Sequence, residues 1–301
     1  MDAHQLETLR TVHERGGVTA AAAALHVTPS AVSQQLRVLR REAGVDLVER
    51  HGRGVRLTAA GRALADAALD VAVALARAQA ACDTFLARTE GTVRLSAFQS
   101  AAQMLLPGLL TRMARWPGVM LHCSDEDVAQ REFAGLTADH DVVVGHRPDR
   151  SSDWGPGVHV VPLLREPLDV ALPLGHRLAD RAAVRPEDLT GERWIAVREG
   201  FPVATVLAAV AATTGAAPHV VQRINDFHVV EALVTAGHGI SLLPRYTAGD
   251  AGGTRFRLVP LEGVRAGRRI DALLRPDRLE RVVVRRVVDE LREQARALSP
   301  A

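Results

Sequence analysis

The feature that most constrains this chain is a long segment that is predicted to form one uninterrupted helix. Residues 58–88 contain no proline and a single glycine, Gly61, close to their start. Apolar or small side chains recur in this segment in alternating steps of four and three, the spacing of a heptad seam. The seam residues are Leu64, Ala68, Val71, Leu75, Ala78, Cys82 and Phe85. A lone amphipathic helix could bury this stripe on its own domain, but the strict alternation and the alanine-rich flanks favour a close helix–helix dimer.

The composition is that of an ordinary globular protein and not of a disordered or membrane chain. The 301 residues are 47% apolar and 24% charged, and this length allows two or three domains. No apolar run approaches the ~18 residues of a membrane span. The polar start MDAHQLETLR predicts no secretory leader, and two cysteines, Cys82 and Cys123, make no disulfide framework. We therefore expect a cytoplasmic protein that does not bind membranes.

The part of the chain before the long helix reads as short helices followed by a β-hairpin. The stretch TPSAVSQQLRVLRR predicts a helix that is capped by Thr28 and has Pro29 at its first position, where a missing N–H costs nothing. Val32, Leu36 and Leu39 follow at helical spacing and predict one narrow buried stripe. The small, polar and arginine side chains of this helix are therefore left for exposed faces.

A local excess of positive charge lies in and after this helix. From Arg37 to Arg62 the chain has seven arginines and three acidic residues, whereas the formal net charge of the whole chain is only +2. The glycines of the tip HGRG, between two short apolar runs, predict a hairpin that forms a wing beside the helices. Such a basic excess is typical of a phosphate-binding module. It is also typical of a solvated charged face, and charge alone does not decide between the two.

After Glu90 the chain alternates strand-like runs, such as VRLSAF, DVVVG and GISLLP, with helical segments. Helices are expected at residues 101–115, 127–137, 203–214, 227–236 and 279–297. This alternation predicts a parallel sheet with helices on both faces. About ten strands suit two α/β subdomains better than one, and folds of this kind bind small ligands in a crevice at the carboxyl ends of their strands.

The motifs, taken in order, resemble those of LysR-type transcriptional regulators. The run TAAAAALHVTPSAVSQQLRVLRREAGVDLVERHGRGVRLTAAG is similar to the winged helix-turn-helix of that family, and RWPGVMLH, LPLGHRLA, EDLTGERWI and LVTAGHGISLLPR follow in order. The resemblance implies an α/β chain with three parts: a winged helix-turn-helix DNA-binding domain at 1–58, a linker helix for dimerisation at 59–89, and an effector-binding domain at 90–301. The last part would have two α/β subdomains, as in periplasmic substrate-binding proteins.

The resemblance also implies the partners of the chain. It implies a homodimer or a homotetramer, usually a dimer of dimers, that binds an inverted repeat in double-stranded DNA and contacts RNA polymerase. A small-molecule effector would bind in the cleft of the C-terminal domain, and no cofactor is expected.

The DNA contacts follow from the exposed face of the helix after Thr28. Arginine can read guanine and glutamine can read adenine through paired hydrogen bonds in the major groove. Serine hydroxyls and the N–H groups at the helix start would hold phosphates, and the wing arginines would reach phosphates or the minor groove. The expected DNA-binding residues are Thr28, Pro29, Ser30, Ser33, Gln34, Arg37, Arg50 and Arg53.

For the effector cleft, the resemblance places ligand contacts at four points of the C-terminal part. These residues are Gln99 and Ser100, His146 and Arg147, Phe201 and Pro202, and Asn225 and Asp226. We expect Ser100 just ahead of a helix N-terminus, where hydroxyl and N–H groups favour a carboxylate. His146 and Arg147 would add positive charge, which predicts an anionic metabolite, although both also read as exposed loop residues.

Three other classes of function fit the sequence less well. An enzyme is not expected, because the twelve histidines form no H-E-x-x-H or His-x-His spacing and no G-x-S-x-G or Walker motif occurs. A pure solute-binding protein would need neither the N-terminal module nor its basic residues. A thiol redox switch needs an exposed thiolate in an electropositive setting, whereas we expect Cys123 in the centre of a strand and Cys82 on the helix seam.

Overall fold

The computed structural model describes residues 1–52, 54–149, 154–249 and 253–298. Its N-terminal part is a helix-turn-helix with a two-stranded wing, followed by one long helix. The elements of this part are α1 (Ala3–Arg15), α2 (Val18–Ala24), α3 (Pro29–Ala43), β1 (Val48–His51), β2 (Gly54–Leu57) and α4 (Ala59–Phe85). Strands β1 and β2 pair antiparallel, as the hairpin pattern predicts.

Helix α3 begins and packs as its sequence requires. The Oγ1 of Thr28 accepts a hydrogen bond from the N–H of Ala31 at 3.2 Å and caps the helix. Val32 and Leu39 are fully buried, and they join the core of the N-terminal part with residues of α1, α2, the wing and α4. Each such side chain contributes about 1.5–3 kcal/mol by leaving water. The buried stripe therefore fixes which face of α3 points outward.

Helix α4 packs on the N-terminal core at its start, but its apolar seam is exposed farther along the helix. It packs so closely on the wing that a Cβ at Gly61 would collide with the backbone oxygen of Leu47. Ala68 is buried in the N-terminal core. Beyond it, Leu75 is 54% exposed and Phe85 is 90% exposed. The apolar seam thus continues onto a surface that nothing covers within the described part of a single chain.

The C-terminal part has two lobes, each with its own core. Its elements are β3 (Gly91–Ala97), α5 (Gln99–Met113), β4 (Val119–Asp125), α6 (Phe133–Leu136), β5 (Val142–Pro148), β6 (His159–Pro173), β7 (Arg193–Ala196), α7 (Pro202–Thr214), β8 (His219–Arg223), α8 (Phe227–Thr235), β9 (Ser241–Pro244), β10 (Phe256–Pro260), β11 (Gly267–Leu274), α9 (Pro276–Leu279) and α10 (Val282–Leu298). Strand β6 pairs first with β11 and then with β9 and β10, so it runs from one lobe into the other.

The sheet is mixed, which corrects the expectation of a parallel sheet. Its main path is β10-β6-β11-β5-β3-β4, in which β3 is parallel to β4 and β5. Strand β11 is antiparallel to both β5 and β6, because the chain returns from the second lobe in the opposite direction. The β7–β8 pair of the second lobe is parallel.

Two local predictions are wrong. The segment 127–137 is not one helix, because its start is used in contacts with the second lobe; it contains only a short 3₁₀ turn and α6. The helix expected at 279–297 is found as α10, which begins three residues later than expected, and Leu279 ends α9. Cys123 is exposed, because β4 forms the edge of the sheet, and Cys82 is exposed on α4.

Candidate functional site

The outward face of α3 carries the polar residues that the sequence places there. Ser30, Ser33, Gln34 and Arg37 are spaced by three and four residues and share one face, opposite the buried stripe. All are exposed except Ser33, which is half-buried and donates a hydrogen bond to the carbonyl of Pro29 at 2.9 Å. The guanidinium of Arg37 has no ion-pair partner among the described residues. It is available to a partner outside the chain.

The start of α3 and the wing add further exposed groups. Thr28 and Pro29 are exposed, and the hydroxyls of Thr28 and Ser30 lie 2.8 Å apart. Arg50 is exposed on β1 opposite Val55. Arg53, which the sequence also assigns to DNA, lies outside the described residues.

A cleft with about 330 Å³ of open space, the solvent at its mouth included, lies between the two lobes of the C-terminal part. Its lining residues are Phe98, Gln99, Ser100, Asp127, His146, Val197, Phe201, Val203, Asn225, Phe227 and Arg268. Five of the eight predicted effector residues are therefore brought together at one cavity: Gln99, Ser100, His146, Phe201 and Asn225.

The other three predicted effector residues do not line this cleft. Arg147 follows His146 in a strand, where successive side chains point to opposite faces, and its Nε donates to Asp271 at 2.6 Å. Pro202 is the buried first residue of α7 and borders a different cavity. Asp226 caps α8 by accepting hydrogen bonds from two backbone N–H groups. Ser100 lies in the first turn of α5 and not ahead of it.

A buried arginine occupies the floor of the cleft. Arg268 on β11 is 1% exposed and lies opposite Glu166 of β6, which has no exposed surface. The two side chains form an ion pair at 2.7 Å. The guanidinium also donates to Oγ of Ser100 at 2.7 Å and to Nδ1 of His146 at 3.1 Å. The strands that connect the lobes are thereby tied to α5 and β5 of the first lobe.

His146 is held neutral by these surroundings. Its ring stacks on Phe98 with the centroids 4.2 Å apart. Burial, together with the positive charge of Arg268, holds the pKa of His146 well below its ordinary value. Because arginine can only donate, Nδ1 accepts and the single ring proton lies on Nε2. This Nε2 is buried and has no hydrogen-bond partner among the described residues.

The two lobes touch across the cleft. Nε2 of Gln99 lies 3.2 Å from Nδ1 of His228, and Nδ2 of Asn225 donates to Asp127 over a long 3.5 Å. Asp127 is exposed at the cleft mouth. Partial desolvation by the cleft walls raises the pKa of its carboxyl group, although the hydrogen bond from Asn225 and the positive charges of nearby arginines lower it. The cleft is therefore closed around a buried floor and a partly solvated mouth.

Two polar residues of the cleft, Asp127 and Arg268, are not among those predicted from the sequence. Asp127 follows the end of β4, and its position after a predicted strand was a usable signal. Arg268 carried no local signal, because it reaches Ser100 across 168 residues of sequence and its immediate neighbour Arg269 is also an arginine.

Two kinds of feature are absent from the described residues, a metal-binding cluster and a membrane-spanning helix. These residues contain no group of three or more His, Cys, Asp or Glu side chains arranged to hold a metal ion. No helix in the same part of the chain combines the length and the apolar character needed to cross a bilayer.

Comparisons with known proteins agree with this architecture. GltC of Bacillus subtilis (strain 168), described as a transcriptional dual regulator, is 28% identical over 265 residues, which cover 87% of either chain. A full-length OxyR variant of Pseudomonas aeruginosa shares the fold, with a TM-score of 0.67 at 20% identity over 98% of this chain and 95% of that one. CbnR, solved in complex with its target DNA, gives a TM-score of 0.55 at 23% identity over 98% of this chain and 100% of that one.

The family models cover nearly the whole chain. Residues 3–62 match the model described as the bacterial regulatory helix-turn-helix protein of the lysR family. Residues 87–296 match the LysR substrate binding domain. With the exposed face of α3 at one end and the closed cleft at the other, the chain belongs to the LysR family of transcriptional regulators.

Proposed function

We propose that this LysR-type regulator reads an inverted repeat in DNA with the α3 helices of two subunits, and that a small molecule in the cleft changes how the pair binds. Residues 1–58 would form the DNA-binding domain, 59–89 the dimerisation helix and 90–301 the effector domain. The observation that carries the proposal is the exposed polar face of α3, on which Arg37 has no ion-pair partner among the described residues.

On DNA, the residues of α3 would divide into two roles. Arg37 would read guanine and Gln34 would read adenine, each with ~1–3 kcal/mol of discrimination. Thr28, Pro29 and Ser30, together with Ser33, would set the register against the phosphates, which the N–H groups at the start of α3 attract. Arg50 and Arg53 of the wing would contact phosphates or the minor groove.

The bare seam of α4 supports the two-fold pairing. Val71, Leu75 and Phe85 are all large, apolar and exposed along one side of the helix. A second copy of α4 would cover this side in a coiled coil. Two such dimers would then assemble into the homotetramer through their effector domains.

The cleft would hold the effector. The hydroxyl of Ser100 and the first-turn N–H groups of α5 support a ligand with a carboxylate, placed among Gln99, His146, Phe201 and Asn225. We further propose that the regulator works in the cytoplasm, contacts RNA polymerase at its promoter and catalyses no reaction. The description of GltC as a transcriptional dual regulator supports this role.

The test is gel-shift titration of the full chain over a salt series, on its specific site and on random DNA. Arg37→Ala should weaken binding to the specific site by about 1–3 kcal/mol and leave random DNA nearly unchanged. Arg50→Ala should weaken both and reduce the salt slope by about 1. Arg296→Ala, an exposed change on α10, is the matched control. Equal losses on both DNAs for Arg37→Ala would refute base reading by α3.

A further inference from the structure

We propose that the effector is a small zwitterion of the amino acid class, with a carboxylate directed to the cleft floor and an ammonium group to its mouth. This inference rests on the proposed function, because it concerns the same cleft. It replaces the simple anion that the sequence predicts.

The charges of the cleft do not fit a simple anion. The positive charge of Arg268 is already balanced by Glu166, and both side chains are buried. His146 is neutral, and Arg147 is turned away toward Asp271. The positive charge of Arg198 lowers the pKa of Asp127, but Arg198 is not part of the lining and water screens its exposed side chain. The lining thus offers no unbalanced buried cation, and a ligand that brings only negative charge would lie uncompensated, which is costly.

The floor of the cleft nevertheless offers hydrogen-bond donors. Helix α5 starts there, and its preceding residue, Phe98, provides no side-chain cap, so the first-turn N–H groups have no partner within the helix. Oγ of Ser100 accepts from Arg268, which leaves its own proton to donate. Nε2–H of His146 is a second buried donor with no partner in the described structure. Dipolar donors of this kind suit one carboxylate without adding net charge.

The mouth of the cleft, in contrast to its floor, presents a negatively charged hydrogen-bond acceptor. Asp127 presents a carboxylate whose contact with Asn225 is long, at 3.5 Å, while Oδ1 of Asn225 is occupied by the N–H of Arg198. The raised pKa of Asp127 shows that its charge lacks full compensation. An ammonium group would supply that compensation.

Apolar side chains form the side walls between these ends. Phe201, Val203 and Phe227 provide apolar surface. The open space among the lining residues is about 330 Å³ with the solvent at the mouth included, so the walls exclude a bulky ligand. The site therefore suits a small amino acid with an apolar body.

The experiment is calorimetric titration of the full chain with the protein amino acids, β-alanine and 4-aminobutanoate. Each amino acid that binds is compared with its analogue lacking the ammonium group and with the amine lacking the carboxylate; succinate serves as the dianion. At least one amino acid should bind saturably, and each truncated analogue should bind at least about tenfold more weakly. Asp127→Asn should weaken the amino acid by about tenfold or more and change the affinity of its deaminated analogue by less than about twofold. Asp125→Asn, exposed at the end of β4 and outside the cleft lining, is the matched control and should change neither.

Three outcomes would overturn the inference: equal binding of the deaminated analogue, tighter binding of succinate, or no binding by any amino acid. Each leaves DNA binding untouched, so the proposed function would stand. The proposed function would fail on a different result, namely a full chain that binds an amino acid but prefers no DNA sequence.

Discussion

Replacement of Arg268 by methionine should destabilise the effector domain strongly. The substitution removes the ion-pair partner of Glu166, which has no exposed surface and whose Oε1 already has no hydrogen-bond partner among the described residues. It also removes the donor to Ser100 and His146. A buried carboxylate that loses its partner typically costs about 3–5 kcal/mol. For a domain of this size the loss corresponds to a fall in Tm of roughly 6–20 °C.

Intrinsic tryptophan fluorescence measures this loss selectively. Trp116, Trp154 and Trp194 are the only tryptophans of the chain, and all three lie in the C-terminal part. A thermal melt followed by fluorescence therefore reports unfolding of the effector domain and not of the DNA-binding domain. Phe98 and Phe133 pack around His146 near Trp154, so the probe is close to the perturbation.

A double variant and a surface variant serve as controls for this experiment. Arg268→Met combined with Glu166→Met removes both charges of the pair, so this variant should be more stable than Arg268→Met alone. Arg296→Met breaks only the exposed pair with Glu293 and should cost less than about 1 kcal/mol. A single variant that melts within about 2 °C of the wild type would refute the role of the buried pair. So would a double variant that loses as much stability as the single one.

Two further predictions concern acidification and assembly. The wild type should lose stability below about pH 6.5 more steeply than His146→Phe, by up to ~1.4 kcal/mol per pH unit, because the unfolded histidine binds a proton that the folded one, with its lowered pKa, does not. Fluorescence melts from pH 8 to pH 5 measure the difference, and parallel curves would contradict the assignment. Leu75→Arg should lower the oligomer mass in light scattering, since it places a charge on the exposed seam of α4. Asp70→Arg, exposed on the same helix but off the seam, should not; an unchanged mass for Leu75→Arg would count against pairing through α4.

Local rules were sufficient to predict α3. The cap at Thr28, the proline at the first position and the stripe from Val32 to Leu39 are all set by residues within one helix, and the structure places each as expected. The polar face then follows from helix geometry alone. The same reasoning should have excluded Arg147 from the cleft, because strand alternation does not let it share a face with His146.

Features that depend on distant pairing could not be derived in this way. Glu166 and Arg268 become neighbours only when β6 and β11 pair, 102 residues apart in the chain. The exposure of Cys123 depends on β4 being the edge strand, which local hydropathy does not specify. The charge balance of the cleft, and with it the kind of effector, therefore became visible only in the assembled sheet.

The central claim is that the α3 helices of a two-fold pair read DNA. The most direct test is to let the full chain select binding sequences from a random pool of duplexes. The account predicts an enriched inverted repeat whose half-sites lie on one side of the duplex, about one helical turn of 34–36 Å or a multiple of it apart. In a parallel selection with Arg37→Ala, enrichment at one symmetric pair of positions should disappear. Enrichment of no sequence, or of a single unpaired half-site, would contradict the account.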